Sequence, residues 1–224
     1  MGKMTIQQML IQLAGGMGTS IQIFLVTLIF SLPLGLLVAF GRMSKNRLLQ
    51  AVVKVYISIM RGTPLMLQLM VVYFGPYYLF RIKVGSGYRL WATFIGFVIN
   101  YAAYFAEIYR SGIQSMPVGQ YEAAQILGYS RFQTFFKIIL PQVIKRILPS
   151  VTNEVITLVK DTSLARAIAL QEVIWAAESF MKGNQGISGL WWPLMFTAVY
   201  YLAFSAIVTM VLGRLEKKLD YFRV

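Results

Sequence analysis

The chain has 224 residues, 58% of them hydrophobic and 13% charged, with a formal net charge of +13. A soluble domain carries about a quarter charged residues, so this composition suits lipid rather than water. The absence of cysteine and histidine excludes disulfides, thiol redox chemistry, zinc sites built on those residues and a Ser-His-Asp triad.

From the start of the chain, Lys3 is the only early basic residue and no Ala-x-Ala site follows a short apolar core, so the N-terminus does not read as a cleaved signal. The cluster Gly15-Gly16-Met17-Gly18 lacks the lysine of a phosphate-binding loop, and no GxxxxGK[ST] run occurs elsewhere. The chain therefore cannot hydrolyse ATP by that motif. Crossing the hydrocarbon takes about 20 apolar residues as a helix. The apolar runs predict an all-α polytopic membrane protein, a single transmembrane domain with five transmembrane helices near residues 18–41, 55–80, 89–109, 143–161 and 190–213. The fourth is the weakest, since it carries Glu154, Lys160 and Asp161. Without it, both termini would fall on one side and two strongly basic regions on opposite faces.

With five spans the charges sort. One face receives Arg42, Lys45, Arg47, Lys54, Arg110, Arg131, Lys137, Lys145, Arg146, Arg214, Lys217, Lys218 and Arg223; the other receives Lys3, Arg81, Lys83, Arg89, Arg166 and Lys182. The richer face is the cytoplasmic one, which puts the N-terminus outside and the C-terminus inside. The basic excess thus reads as positive-inside bias, with no nucleic acid as partner. Trp91, Trp191, Trp192, Tyr77 and Tyr78 lie near span ends, as an aromatic belt would.

Two long connections remain. The cytoplasmic one, 111–142, holds a short helix over about 118–128 that ends at Gly128. The external one, 162–189, holds a helix over about 163–181, capped by Thr162 or Ser163 and stopped by Gly183. Its Leu164, Ile168, Val173, Ile174, Ala177 and Phe180 recur at helical spacing. That pattern fits an interfacial helix with one buried side or a helix that docks a partner.

The cytoplasmic connection reads Glu122-Ala123-Ala124, three residues, Gly128, nine residues, then Ile138-x-Leu140-Pro141. This pattern resembles the EAA segment of permease subunits of bacterial ATP-binding-cassette importers. Arg61-Gly62-Thr63-Pro64, the run Glu107-Ile108-Tyr109-Arg110-Ser111-Gly112-Ile113, Gly119-Gln120 and Lys160-Asp161-Thr162-Ser163-Leu164 resemble the polar amino-acid branch of that family. Physically, Ala123 and Ala124 let a short helix seat closely in a groove, Gly128 allows the turn at its end, and Pro141 can open a new helix. Glu122 can cap the helix or pair with a basic partner. An ordinary basic loop bearing a surface helix is the competing reading.

The resemblance implies a type I importer fold whose cytoplasmic coupling helix, with Glu122, Ala123, Ala124 and Gly128, docks into a separate ATPase. It further implies a second permease copy or paralogue, an external amino-acid-binding protein, an amino-acid substrate and surrounding lipid. No cofactor is expected on this chain; ATP and magnesium would sit on the partner ATPase. The location implied is the bacterial cell membrane.

Ionisable groups inside a bilayer mark function by default. At about 1.5 Å per residue, Asn100 lies roughly 15 Å in from Leu90 and Glu154 roughly 15 Å in from Ile144, both near the midplane. Glu154, Thr157 and Asp161 share one side of the fourth span, and Asn100 and Tyr104 one side of the third. An amino acid needs acceptors for its ammonium, which Glu154 and Asp161 supply, and donors for its carboxylate, which Asn100, Tyr104 and Thr157 supply. Two acids on one stripe point to a basic amino acid. Glu154 also fits a structural group bonded to a neighbouring helix, and Asp161 a cap or a pair with a cation at the membrane edge. Glu107 and Arg110 read as gate or loop contacts, Arg61 as snorkelling or lining the inner vestibule, and Gln68 as path-lining or structural. The rivals are an ATP-independent transporter or channel, and a membrane-embedded enzyme using Glu154 and Asp161 as an acid/base pair.

Overall fold

The computed structural model describes residues 6–183 and 191–219, and the described residues contain helices without strands. The elements are α1 (Ile6–Arg42), α2 (Arg47–Gly62), α3 (Leu65–Phe80), α4 (Tyr88–Gln114) and α5 (Val118–Ile126). A single turn, α6 (Arg131–Gln133), passes through a π-helical turn (Thr134–Ile139) into α7 (Leu140–Asp161). A 3₁₀ turn (Thr162–Ile168), α8 (Val173–Gly183) and α9 (Trp191–Leu219) complete the chain. The expected start of the last span at residue 190 lies outside the described residues.

Helix α4 is the hub. On it, Phe97, Tyr101 and Phe105 bury against Phe24 of α1, Leu65 and Leu69 of α3, and Val155, Leu158 and Val159 of α7. Small residues set the spacing: a Cβ on Gly35 of α1 would come within 2.8 Å of the Phe105 Cβ, and one on Gly112 of α4 within 2.1 Å of the Ile147 Cγ2. Thr152 of α7 donates to the Glu216 carboxylate of α9 at 2.7 Å.

The structure differs from the predicted elements in three places. The first helix begins at Ile6 rather than near residue 18, because its early turns have a partner. Met9, Leu13 and Met17 bury against Val173, Ala176, Ala177 and Phe180 of α8. The second predicted span is two helices bent by 108°. Pro64 disfavours helical backbone at the residue before it, and Thr63 is extended, with φ −121° and ψ 148°. The predicted external helix is also split: Ala169 takes a left-handed conformation, with φ 57°, between the 3₁₀ turn and α8. Thr162 and Ser163 do not cap it; their hydroxyls donate back to Val159 and Lys160 carbonyls and so continue α7.

Among the described residues, three helices, α1, α4 and α9, are long and apolar enough to cross a membrane, and α2 with α3 makes a fourth if the bent pair counts as one span. Helix α7 fails that composition test because Lys145, Arg146, Glu154, Lys160 and Asp161 interrupt it.

Candidate functional site

The α2–α3 break frees backbone carbonyls, which inside a membrane need partners within the protein. The Gln68 amide nitrogen donates to the carbonyls of Met60 (3.0 Å) and Thr63 (3.1 Å) and to the Thr63 hydroxyl (2.8 Å). Asn100 of α4, only 4% exposed, donates to the Met60 carbonyl (3.1 Å) and to the Gln68 side-chain oxygen (2.9 Å). Both of its N–H groups are thereby committed, and Asn100 and Gln68 act as a clip that holds the break against α4. Tyr56 of α2 adds a bond from its hydroxyl to the Ile99 carbonyl.

The break sets the last turn of α2 against α4. The Arg61 guanidinium stands over the Tyr104 ring, 5.4 Å from its centroid, a geometry in which the ring face attracts the cation. Glu107, one turn along from Tyr104, lies 3.8 Å from Arg61. Both Glu107 oxygens are held by the fork of Arg110, at 3.0 and 2.6 Å, and Arg110 also donates to Gln114. Arg61 itself is 46% exposed.

On α7, Glu154 is half-buried and has no hydrogen-bond or ion-pair partner among the described residues. It lies within electrostatic reach of Asp161 and Arg61. Asp161 accepts a 2.8 Å bond from the Tyr101 hydroxyl. Thr157 is exposed and donates to the Asn153 carbonyl at 3.0 Å. The structure thus groups Glu154, Asp161 and Tyr104 with Arg61 and Tyr101, while Asn100 faces the break. Tyr101, 1% exposed, was not among the predicted residues. Helical spacing from Asn100 leads to Tyr104, and only the packing of α4 on α7 turns Tyr101 towards Asp161.

The EAA segment forms α5 and its end. Gly128 has φ +76°, and its N–H donates to the Gln125 carbonyl while that of Tyr129 donates to Ala124, both at 3.0 Å. This is the glycine-terminated helix end in which a left-handed residue lets the last carbonyls be satisfied. Ala124, 1% exposed, seats α5 on the body; Glu122 and Ala123 face outward, beside exposed Val118, Ile126, Leu127 and Phe132. A capping box between Ser130 and Gln133 starts the next turn, and the π turn delivers Pro141 into the first turn of α7.

A second polar cluster lies on the segment between α7 and α9. Glu172 is fully buried, and its two oxygens accept from the N–H groups of Ile174 and Trp175, each at 2.8 Å. It therefore caps α8. Burial pushes the Glu172 carboxyl above its ordinary value, and those two N–H bonds pull it partly back. Arg166 pairs with Glu178, and that bond raises the guanidinium further. No group of acids that could hold a metal ion occurs among the described residues.

A family model described as binding-protein-dependent transport system inner membrane component matches residues 31–221. The probable amino-acid ABC transporter permease protein YckA of Bacillus subtilis is 38% identical over 208 residues, covering 92% of this chain and 88% of that protein. A putative glutamine transport system permease protein, GlnP of Rickettsia bellii, is 35% identical over 198 residues, covering 87% and 86%. Other relatives are named for L-cystine and for arginine transport. Among solved structures, one titled as the crystal structure of an amino acid ABC transporter with histidines superposes with a TM-score of 0.86 at 26% identity, covering 97% of this chain and 99% of that one.

Proposed function

The chain belongs to the binding-protein-dependent transport system inner membrane components, and on that premise we propose that it carries a basic amino acid of the arginine, lysine or histidine type through a path lined by α4 and α7. It is the permease subunit of an amino-acid ABC transporter, and the ATPase is a separate subunit. In the proposed assembly a second permease copy or paralogue faces this one. Cytoplasmic ATPases holding ATP and magnesium bind α5 at Glu122, Ala123 and the apolar residues beside them, and an external binding protein delivers the amino acid.

The observation that carries the reading is Glu154: a half-buried acid with no partner among the described residues, beside a second acid, Asp161. A lone charge in a membrane interior is costly unless something neutralises it, and a cationic substrate does so during transport. Tyr104 and Thr157 contribute to the lining, and Asn100 contributes by holding the α2–α3 break beside it. Five spans follow if α7, about 33 Å long at 22 residues, crosses with its acids facing the path. That count puts the N-terminus outside and the C-terminus in the cytoplasm of a bacterial cell membrane. A neutral polar amino acid is the second reading, favoured by the name of the Rickettsia relative.

The test is uptake into vesicles holding the permease, its ATPase and its binding protein. Uptake should require ATP, favour L-arginine over L-glutamine, and fall at least about tenfold in Glu154→Gln while that variant still co-purifies with the ATPase. Uptake by the permease alone, or unchanged kinetics in Glu154→Gln, would overturn the proposal.

A further inference from the structure

We infer that the corner between α1 and α2 binds one anionic phospholipid. Lys45, Arg47 and Lys54 hold its phosphate-bearing headgroup, and the outer face of α2 holds an acyl chain. The sequence concentrates positive charge here: Arg42, Lys45, Arg47 and Lys54 cluster between residues 42 and 54, and no acid precedes Glu107.

The corner is an ordered turn. The Asn46 side chain caps α2 by accepting from the N–H groups of Leu48 (3.0 Å) and Leu49 (3.3 Å). The Ser44 hydroxyl accepts from the Asn46 N–H at 3.1 Å, and the Gln50 amide donates to the Arg42 carbonyl at 3.4 Å. Lys45, Arg47 and Lys54 are exposed, and none of them takes part in the ion pairs among the described residues. Arg42 is half-buried and within electrostatic reach of Glu107, so it stays outside the clamp. Arg47 and Lys54 stand two turns apart on one side of α2. The first turn of α2 contains no acid, so the partial positive charge of the helix start adds to theirs. A basic cluster beside a membrane segment attracts anionic headgroups.

The apolar half of the site lies on the same helix. The inner side of α2 packs on the body, where Ile57 buries against Ala39 of α1 and against Ala103 and Ala106 of α4. On the outer side Leu48, Val52, Val55 and Ile59 recur at helical spacing, each more than half exposed. A groove between this stripe and the basic edge is lined by Ala51, Lys54, Val55, Ser58 and Ile59, and the small side chains at 51 and 58 keep it open. Cations and a hydrocarbon seat thus lie side by side, which matches the two ends of one phospholipid; a free phosphate would use only the first. A second copy docked through the same patch would set these bases against their own equivalents, a costly like-charge contact. The lipid braces a helix whose far end is clipped to Asn100 at the break.

The experiment titrates the detergent-purified permease–ATPase complex with phosphatidylglycerol and with phosphatidylcholine of the same acyl chains, counting bound lipid by native mass spectrometry. Phosphatidylglycerol should bind about ten- to a hundredfold tighter. Replacing Lys45, Arg47 and Lys54 together by Gln should abolish that preference. Replacing Arg214, Lys217 and Lys218 together by Gln, an equal loss of charge elsewhere, should leave it intact. Ser58→Trp fills the groove at an exposed position without touching the charges, and should weaken both lipids about tenfold or more. Inorganic phosphate should not displace the lipid. Equal affinity for the two lipids in wild type overturns the assignment, as does the same loss in both triple variants, which would mean a diffuse field. Unaltered binding in Ser58→Trp, or displacement by phosphate, removes the acyl seat and overturns it too. Should the first triple variant fail to assemble with the ATPase, Lys54→Gln alone decides, with about a fivefold loss for phosphatidylglycerol expected and no loss counting against the site.

Discussion

Three neighbouring glycines on α1 should respond to alanine with opposite signs. A Cβ on Gly16 would lie 2.7 Å from the Val173 Cα and 2.9 Å from the Glu172 carbonyl carbon and oxygen, whereas a Cβ on Gly15 or Gly18 meets nothing within 4 Å. The atoms facing Gly16 are backbone at the start of α8, so no rotamer change relieves the clash. Helix α8 must retreat by about 0.7–1 Å to reach ordinary carbon contact distances, which loosens the packing of Met9, Leu13 and Met17. Overpacking of this kind costs about 1–3 kcal/mol, partly offset by the higher helix propensity of alanine. At Gly15 and Gly18 only the propensity gain acts, about 0.5–1 kcal/mol. The assay is the fraction of detergent-purified permease–ATPase complex that stays monodisperse after heating. Gly16→Ala should lower the apparent midpoint by about 2–12 °C, while Gly15→Ala and Gly18→Ala leave it unchanged or raise it. Equal behaviour at all three positions would refute the contact between α1 and α8.

The other expectations concern α5 and Glu172. Gly128→Val forces a β-branched residue into left-handed backbone at about 1–2 kcal/mol, which should disorder the end of α5; substrate-stimulated ATP hydrolysis should fall while L-arginine binding in detergent persists. Loss of binding, or unaltered stimulation, would count against α5 as the transmitting element. For Glu172, the raised folded-state value means that the folded chain holds the proton better than the unfolded one. Its contribution to stability is full below the ordinary glutamate range and is lost as pH rises through the folded value. The apparent midpoint should therefore gain more on going from pH 7 to pH 5 in wild type than in Glu172→Gln, which has no proton to bind; identical gains would remove the linkage.

The helical class and the short helix ending at Gly128 were legible because apolar run length and the glycine spacing are local properties. The α2–α3 break was present as Thr63-Pro64, but an apolar run through it reads as one span when length is the criterion. The reach of α1 to Ile6 was not legible: Gly15-Gly16-Met17-Gly18 looks like a helix breaker until α8 is seen crossing at Gly16. Glu172 falls inside the single helix predicted over about 163–181, and only the break at Ala169 and the start of α8 show it to be a cap. At the site, spacing put Glu154 and Asp161 on one side of a helix, yet it could not say what stood opposite them. Nor could spacing show that the bend after α2 sets Arg61 over Tyr104 of α4.

The division of polar groups into engaged and open ones is what separates scaffold from site. Asn100, Gln68, Thr63 and Tyr56 all lie near the α2–α3 break, and the hydrogen bonds recorded for each close the backbone there or tie it to α4. Unmet groups at that point would cost about 1–3 kcal/mol each, so these residues are needed whatever the cargo. Glu154 is left open by the same fold, whereas Arg61 stands over Tyr104 and 3.8 Å from Glu107. Residues that serve the break should therefore change stability with little effect on which amino acid is preferred, and the open acid Glu154 should do the reverse.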